Sequence, residues 1–340
     1  MKAIFLVRNG ESHGAFEMRD TPVPVPGMGE ILVRVEASGL NYADVMARRG
    51  LYKAAPPMPS ILGYDVAGTI DAVGPDTPGF QIGQRVAAMT RFGGYAEYAL
   101  TQAGAVIPLP DSMEPALATS LATQASTAVY SSCMATRLYP GDQVLIHAAA
   151  GGVGTILVQI AKARGCIVYG SASKQKHSYL KEIGVDFPID SHGDDPLKAL
   201  SDILNGKKLD VVFDNIGGRS FSNGLALLGP AGRIVAYGAA AQNHGKRSGR
   251  INSIRVGLGF GFHSPIGLIV KSQSVIGVNM LAIADHKPVI LKEVMEEVAR
   301  LAANGTIRPV LGRTFAASQI AEAHDFLESR QSTGKTALIW

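Results

Sequence analysis

Residues 144–154, Val-Leu-Ile-His-Ala-Ala-Ala-Gly-Gly-Val-Gly, constrain the fold more than any other stretch. An apolar strand runs into a tight glycine turn, and an apolar helical pattern follows over 155–163. The turn carries Ala149-x-Gly151-x-x-Gly154, a dinucleotide fingerprint with alanine in the first place. Gly151 lets the backbone approach a pyrophosphate, and Gly154 lets the helix pack closely on the strand. The phosphate charge then meets free N–H groups at the helix N-terminus, offered by Ala150, Gly151, Gly152, Val153 and Gly154. The bland alternative is a turn that serves packing alone. A second apolar strand at 166–169, placed as a βαβ unit requires, favours the nucleotide.

The alternation continues. Strands are expected at 210–214 and 233–237, helices at 176–183, 196–204 and 220–228, with Asp190 in a connection. This is the pattern of a parallel sheet with crossover helices. The first ~110 residues differ: short β-branched runs at 3–7, 31–37, 67–73 and 85–90 lie between Pro/Gly clusters, as in an antiparallel barrel or sandwich. Residues 114–135 read as helices. After Gly238 the periodicity fails, and 239–270 reads as a solvated loop and lid with a basic cluster, Lys246, Arg247, Arg250 and Arg255. A strand at 274–280, helices at 288–303 and 318–328 and a last strand at 336–340 complete the expectation.

Composition narrows the class. Hydrophobic residues are 46% and charged residues 18% of the 340, against a usual charged share of about 25%. That excludes a disordered or coiled-coil chain. A net charge of +4 permits an anionic ligand without indicating nucleic acid. Two cysteines, Cys133 and Cys166, cannot build a disulfide framework or a Cys-rich zinc site, so a reduced, cytoplasmic setting is expected. The uncharged stretches 115–136 and 143–161 are too polar or glycine-broken for a transmembrane span, and 1–8 is too short for a signal-peptide core.

NAD-binding proteins place Asp or Glu about 20 residues beyond the fingerprint, at the end of the second strand. Here the run is Gly170-Ser-Ala-Ser-Lys-Gln-Lys-His177. No carboxylate repels a 2′-phosphate. Ser171 and Ser173 offer hydroxyls and Lys174 and Lys176 offer charge, which points to NADPH. An exposed helix start would explain one of the two lysines equally well.

Further motifs carry a family likeness: Gly39-Leu-Asn-Tyr-Ala-Asp44, Arg49-Gly-Leu-Tyr52, Leu62-Gly-Tyr-Asp65, Gly83-Gln-Arg-Val86, Gly94-Tyr-Ala-Glu-Tyr98, the fingerprint, Gly217-Gly218 and Gly334-Lys335. In this order the chain resembles the medium-chain dehydrogenase/reductase superfamily, specifically its zinc-free quinone oxidoreductase branch. That branch includes zeta-crystallin-type and vesicle-membrane-protein homologues. The resemblance implies an α/β protein with a GroES-like β-barrel catalytic domain (1–124 and 281–340). A Rossmann doubly wound parallel-sheet domain (125–280) holds NADP(H). It also implies an active site between the domains and a homodimer joined through the edges of the cofactor sheets.

Zinc-dependent relatives need a Cys where this chain has Asn41, a His-Glu where it has Tyr64-Asp65, and a second Cys near Thr123. No metal is therefore expected, and the acceptor should be electrophilic unaided: a quinone or an α,β-unsaturated carbonyl. The resemblance suggests Asn41, Tyr52 and Thr127 as donors to the substrate oxygen, each with a bland alternative as turn cap, loop packing or helix back-bond. It suggests Asn215, Tyr237 and Gly238 along the cofactor cleft, and Lys335 as a cofactor-proximal lysine. Where relatives often carry a Tyr beside the phosphate pocket, this chain has Ser191. Two other functions share these features. One is a non-catalytic NADPH binder whose basic segment contacts membrane or RNA. The other is a reductase of enoyl thioesters.

Overall fold

The computed structural model describes residues 1–243 and 250–340, and the chain divides into two units. The first comprises Met1–Ser126, Met280–Gly305 and Pro309–Trp340; the second comprises Thr127–Asn279 with Thr306–Arg308.

The first unit opens with β1 (Lys2–Leu6), β2 (Phe16–Asp20), β3 (Glu30–Leu40), β4 (Ser60–Ile61), β5 (Asp65–Val73), β6 (Arg85–Met89), β7 (Tyr98–Gln102) and β8 (Val106–Pro108). Alternation in β3 puts Ile31, Val33 and Val35 on one face, where they pack with Val66, Ile70, Val86 and Ala99. A second apolar cluster gathers Leu40, Leu62, Tyr64, Phe92 and Tyr95. The helix Tyr42–Arg48 follows β3, with Asn41 at its N-cap.

The second unit holds β9 (Gln143–Ile146), β10 (Ile167–Ala172), β11 (Phe187–Asp190), β12 (Leu209–Asp214), β13 (Leu228–Ala236) and β14 (Ser274–Gly277). All pairings are parallel, in the order β11-β10-β9-β12-β13-β14. Crossover helices include Gly152–Ala163, Pro196–Leu204 and Arg219–Leu227. Leu145, Tyr169, Val212, Phe221 and Ile234 pack the sheet against them. The chain then returns to the first unit through β15 (Leu311–Ala316) and β16 (Lys335–Ile339). β16 pairs with β3 and β15 with β16, completing the larger sheet as β15-β16-β3-β5-β6-β8, with β7 also on β3.

Two local expectations need correction. Asp190 ends a strand, β11, rather than lying in a connection. Residues 239–270 are not loop throughout: helices cover Arg250–Gly259 and Pro265–Lys271. The second has a sequence reason, since Ser264 caps it by accepting the Gly267 N–H and Pro265 takes the first turn. The stretch 114–135 is helical as expected, in short pieces: Pro115–Ala118, Thr123–Val129 and a π-helical segment at Tyr130–Met134. Of the basic cluster, Lys246 and Arg247 lie outside the described residues; Arg250 and Arg255 fall on the helix Arg250–Gly259. No helix among the described residues is long and apolar enough to cross a membrane.

Candidate functional site

In the second unit the fingerprint turn sits at a topological switch point. It leaves β9, whose neighbours are β10 on one side and β12 on the other, and such reversals open a crevice at the carboxyl ends of the strands. The Gly151 N–H closes the turn on the Ala148 carbonyl at 2.8 Å, and Ala148 itself takes φ 49°. Gly151 is the N-cap of the helix Gly152–Ala163, so the first helical N–H groups point outward past Gly152 and Val153. At Gly154 a Cβ would lie 2.4 Å from the Ala148 oxygen and 2.8 Å from the Ala149 Cα. Helix and turn therefore touch backbone to backbone, with Ala149 and Ala150 buried beneath them.

The end of β10 lies alongside. Ala149 donates its N–H to the Ser171 carbonyl at 3.0 Å. The Ser171 side chain is buried, and its hydroxyl lies 3.1 Å from His147 Nδ1 rather than at the surface. Ser173 opens a 3-10 turn over Lys174–Lys176. Lys174 is exposed; Lys176 is half-buried, and desolvation holds its pKa below the usual lysine value. Ser191 donates its N–H to the Ala172 carbonyl, which puts it beside this turn. No carboxylate occurs between Gly170 and His177.

At the ends of β12 and β13, Asp214 Oδ1 accepts the N–H groups of Ile216 and Gly217 at 2.6 and 2.9 Å. The Asn215 Oδ1 and Tyr237 hydroxyl are buried without a partner among the described residues. Burial, then the nearby Asp214, drives the Tyr237 phenol far above its ordinary pKa. A Cβ on Gly238 would stand 2.8 Å from the Asn215 carbonyl oxygen, so glycine is what allows these strand ends to close together. The glycine cradle and the two orphaned polar atoms fit a dinucleotide.

In the first unit the polar residues form a buried cluster. Asn41 Nδ2 donates to Asp65 Oδ2 at 2.6 Å, and Asn41 Oδ1 accepts from Lys335 Nζ at 3.3 Å. Lys335 Nζ also pairs with Asp65 Oδ2, and both side chains are 0% exposed. Asp65 Oδ1 accepts the Thr123 N–H at 2.8 Å. Lys335 is enclosed in the first unit, its ammonium paired with the Asp65 carboxylate. Asp44 accepts the N–H groups of Asn41 (2.8 Å) and Gly63 (3.2 Å), and burial pushes its carboxyl up to about 7. Tyr52, half-buried, meets Tyr64 edge-on at 6.4 Å, and Tyr64 packs on Phe92. Burial raises the Tyr52 pKa. Thr127 is buried on the helix Thr123–Val129 and belongs to the second unit.

A catalytic zinc needs three N, S or O ligands. At the implied positions the only carboxylate is held by an ammonium, an amide and a backbone N–H, and Asn41 is committed at both ends of its side chain. These residues do not fit zinc. Among the described residues no group of three His, Cys, Asp or Glu converges elsewhere. Sequence reasoning missed Tyr95 and the pairing of Asp65 with Lys335. The only signal was the presence of ionisable residues inside apolar strand motifs.

Residues 152–300 match the family described as zinc-binding dehydrogenase, and residues 27–111 match the alcohol dehydrogenase GroES-like domain. The human synaptic vesicle membrane protein VAT-1 homolog is 32% identical over 324 residues, 95% of this chain and 82% of its own. A quinone oxidoreductase of Pseudomonas aeruginosa is 32% identical over 325 residues, 95% of each chain. A mycobacterial protein solved in complex with NADPH has a TM-score of 0.85 at 28% identity, covering 100% of both chains. The chain belongs to the quinone oxidoreductase branch of the medium-chain dehydrogenase/reductase superfamily.

Proposed function

We propose that this protein is an NADPH-dependent reductase of quinones or α,β-unsaturated carbonyls that works without zinc. The observation that carries the reading is the glycine turn at the switch point beside a strand end with lysines and no carboxylate. The NADPH held by the mycobacterial relative supports it. When bound, NADPH supplies the reducing equivalent as hydride. The N–H groups from Ala150 to Gly154 hold the pyrophosphate at the helix N-terminus. Ser173, Lys174 and Lys176 bind the 2′-phosphate, with Ser171 behind them fixing the turn. Asn215, Tyr237 and Gly238 line the strand ends under the nucleoside and carboxamide.

On the substrate side, negative charge grows on an oxygen, and donors aimed at it lower the barrier. Asn41 supplies an amide N–H; Tyr52 and Thr127 supply hydroxyls. Burial raises the Tyr52 pKa, which favours the protonated phenol that can donate a proton. Tyr52 packs on the buried Tyr64, which packs on Phe92, so the Tyr52 ring is held by the apolar core of the first unit. Because Asn41, Asp65 and Thr123 are committed to one another and to Lys335 and do not fit a Lewis acid, the acceptor carries its own electrophilicity.

Steady-state NADPH oxidation against a panel of quinones, enones and enoyl thioesters tests this. Turnover with quinones or enones is expected. Turnover confined to thioesters would make the protein an enoyl reductase. No turnover at all, with binding to liposomes or RNA lost when Lys246, Arg247, Arg250 and Arg255 are neutralised, would make it a non-catalytic binder.

NADPH is expected to bind more tightly than NADH. Lys174→Ala with Lys176→Ala should weaken NADPH by roughly 10–100-fold, from about 1.5–3 kcal/mol for charge-assisted contacts, and leave NADH nearly unchanged. Equal affinities in the parent protein, by fluorescence titration, would refute the pocket. A homodimer is expected through the open edge of β14, where Phe262, Ile266, Ile269 and Val270 are exposed nearby in sequence. Light scattering that returns a monomer mass would exclude it.

A further inference from the structure

Lys335, Asp65 and Asn41 come from three places on the larger sheet of the first unit. Asp65 begins β5, Lys335 begins β16, and Asn41 directly follows β3, which runs between them. The lysine passes over Gly39, where a Cβ would stand 2.3 Å from Lys335 Cε and 2.7 Å from its Nζ. The space for this ammonium therefore depends on a missing side chain in the middle strand.

The contacts determine which way the Asn41 amide faces. Its NH2 lies against the Asp65 carboxylate and its oxygen against the Lys335 ammonium. Turning the amide over would set oxygen against carboxylate and NH2 against ammonium, so both attractions would become repulsions. One N–H is taken by Asp65, which leaves a single donor on a side chain that is 8% exposed. A buried ion pair is itself weak support for stability, since a neutral, well-packed replacement is often as stable. Its value here lies in the orientation it imposes.

We propose that Lys335 and Asp65 are positioning residues that lock the Asn41 amide in one orientation, so that its remaining N–H faces the reacting oxygen of the substrate. This rests on the reading of Asn41 as a donor in the reductase reaction.

Removing one partner alone strands a buried charge and risks unfolding, so the informative variant removes both, as Asp65→Asn with Lys335→Met. In it the Thr123 N–H claims the new amide oxygen at position 65. The new NH2 then faces Asn41 and favours the flipped amide. The double variant should bind NADPH as the parent does, with kcat for a quinone lowered on the order of 100-fold, the loss typical of one missing oxyanion donor. Asn41→Ala should lose as much, and adding it to the double variant should lose no more. Unchanged kcat in the folded double variant would overturn the proposal, as would losses that multiply.

A second readout needs no turnover. In full-length protein labelled with 15N-asparagine, one Asn41 amide proton should be shifted downfield and protected from solvent exchange by the charged bond to Asp65. In the double variant that signature should vanish. An Asn41 signal that is unprotected in the parent, or identical in both proteins, would overturn the proposal. If the parent turned over no acceptor while this signature appeared and vanished as expected, the reductase reading would fall and the locked amide would stand.

Discussion

Alanine in place of Gly154 is expected to weaken NADPH binding by roughly 10–100-fold, from about 1–3 kcal/mol of overpacking, while the fold survives. The added Cβ would meet the Ala148 carbonyl at 2.4 Å and the Ala149 Cα at 2.8 Å. Both are backbone atoms, so no side chain can swing aside. The turn has little room to yield, because Ala148 already occupies the left-handed region at φ 49° and Gly151 is bonded back to its carbonyl. The helix must instead lift away from the turn and carry the phosphate-facing N–H groups with it. Gly257→Ala is the control: it adds a methyl where nothing lies within 4 Å, and affinity should hold. Fluorescence titration with circular dichroism decides the matter, and equal affinities in all three proteins would break the link between this glycine and the nucleotide.

That glycine was legible because everything it touches is local. The strand, turn and helix of 143–163 announce themselves by period and by glycine spacing, and Pro196–Leu204 and Pro288–Ala303 by their first-turn proline and apolar stripe. β11 was not legible: Phe-Pro-Ile-Asp is four residues with a proline, a pattern tolerated here because the strand is at the edge of its sheet. The barrel cluster was hidden for a different reason. Asp65 and Lys335 lie 270 positions apart and meet only because β3 pairs with β5 on one side and β16 on the other. Residue types alone said that Lys335 was cationic, and the resemblance directed that charge toward the cofactor. Only strand pairing shows that a carboxylate already holds it.

The same unit contains two buried groups whose proton affinities move in opposite directions, and this sets its acid response. Burial holds the Asp44 carboxyl up at about 7, from 3.8, with the carboxylate of Asp65 adding to the shift and the Asn41 N–H, Lys335 and Tyr95 opposing it. His324 is driven down to about 3, from 6.5, first by burial and then by the Arg48 guanidinium, against a weaker pull from Glu328. Its two ring nitrogens have no partner among the described residues, and it packs on Phe16 at 4.7 Å. Between about pH 4 and 6.5 the native state keeps a proton on Asp44 that the unfolded chain releases, so this group's stabilisation is lost as pH rises toward 7. Over the same range the unfolded chain protonates His324 and the native state does not, so that stabilisation is lost as pH falls. Each contributes a slope of about 1.4 kcal/mol per pH unit, with opposite sign, and in the parent protein the two largely cancel. His324→Phe keeps the ring packing and removes the titration, so its stability should fall as pH rises. Asp44→Asn should show the reverse, a steepened loss on acidification. The slope carries the test, since either substitution also shifts the absolute level. Trp340, the single tryptophan, packs against this unit's core and reports its unfolding in denaturant at pH 4.5 to 6. Parallel slopes in the three proteins would mean that neither group titrates as its burial dictates.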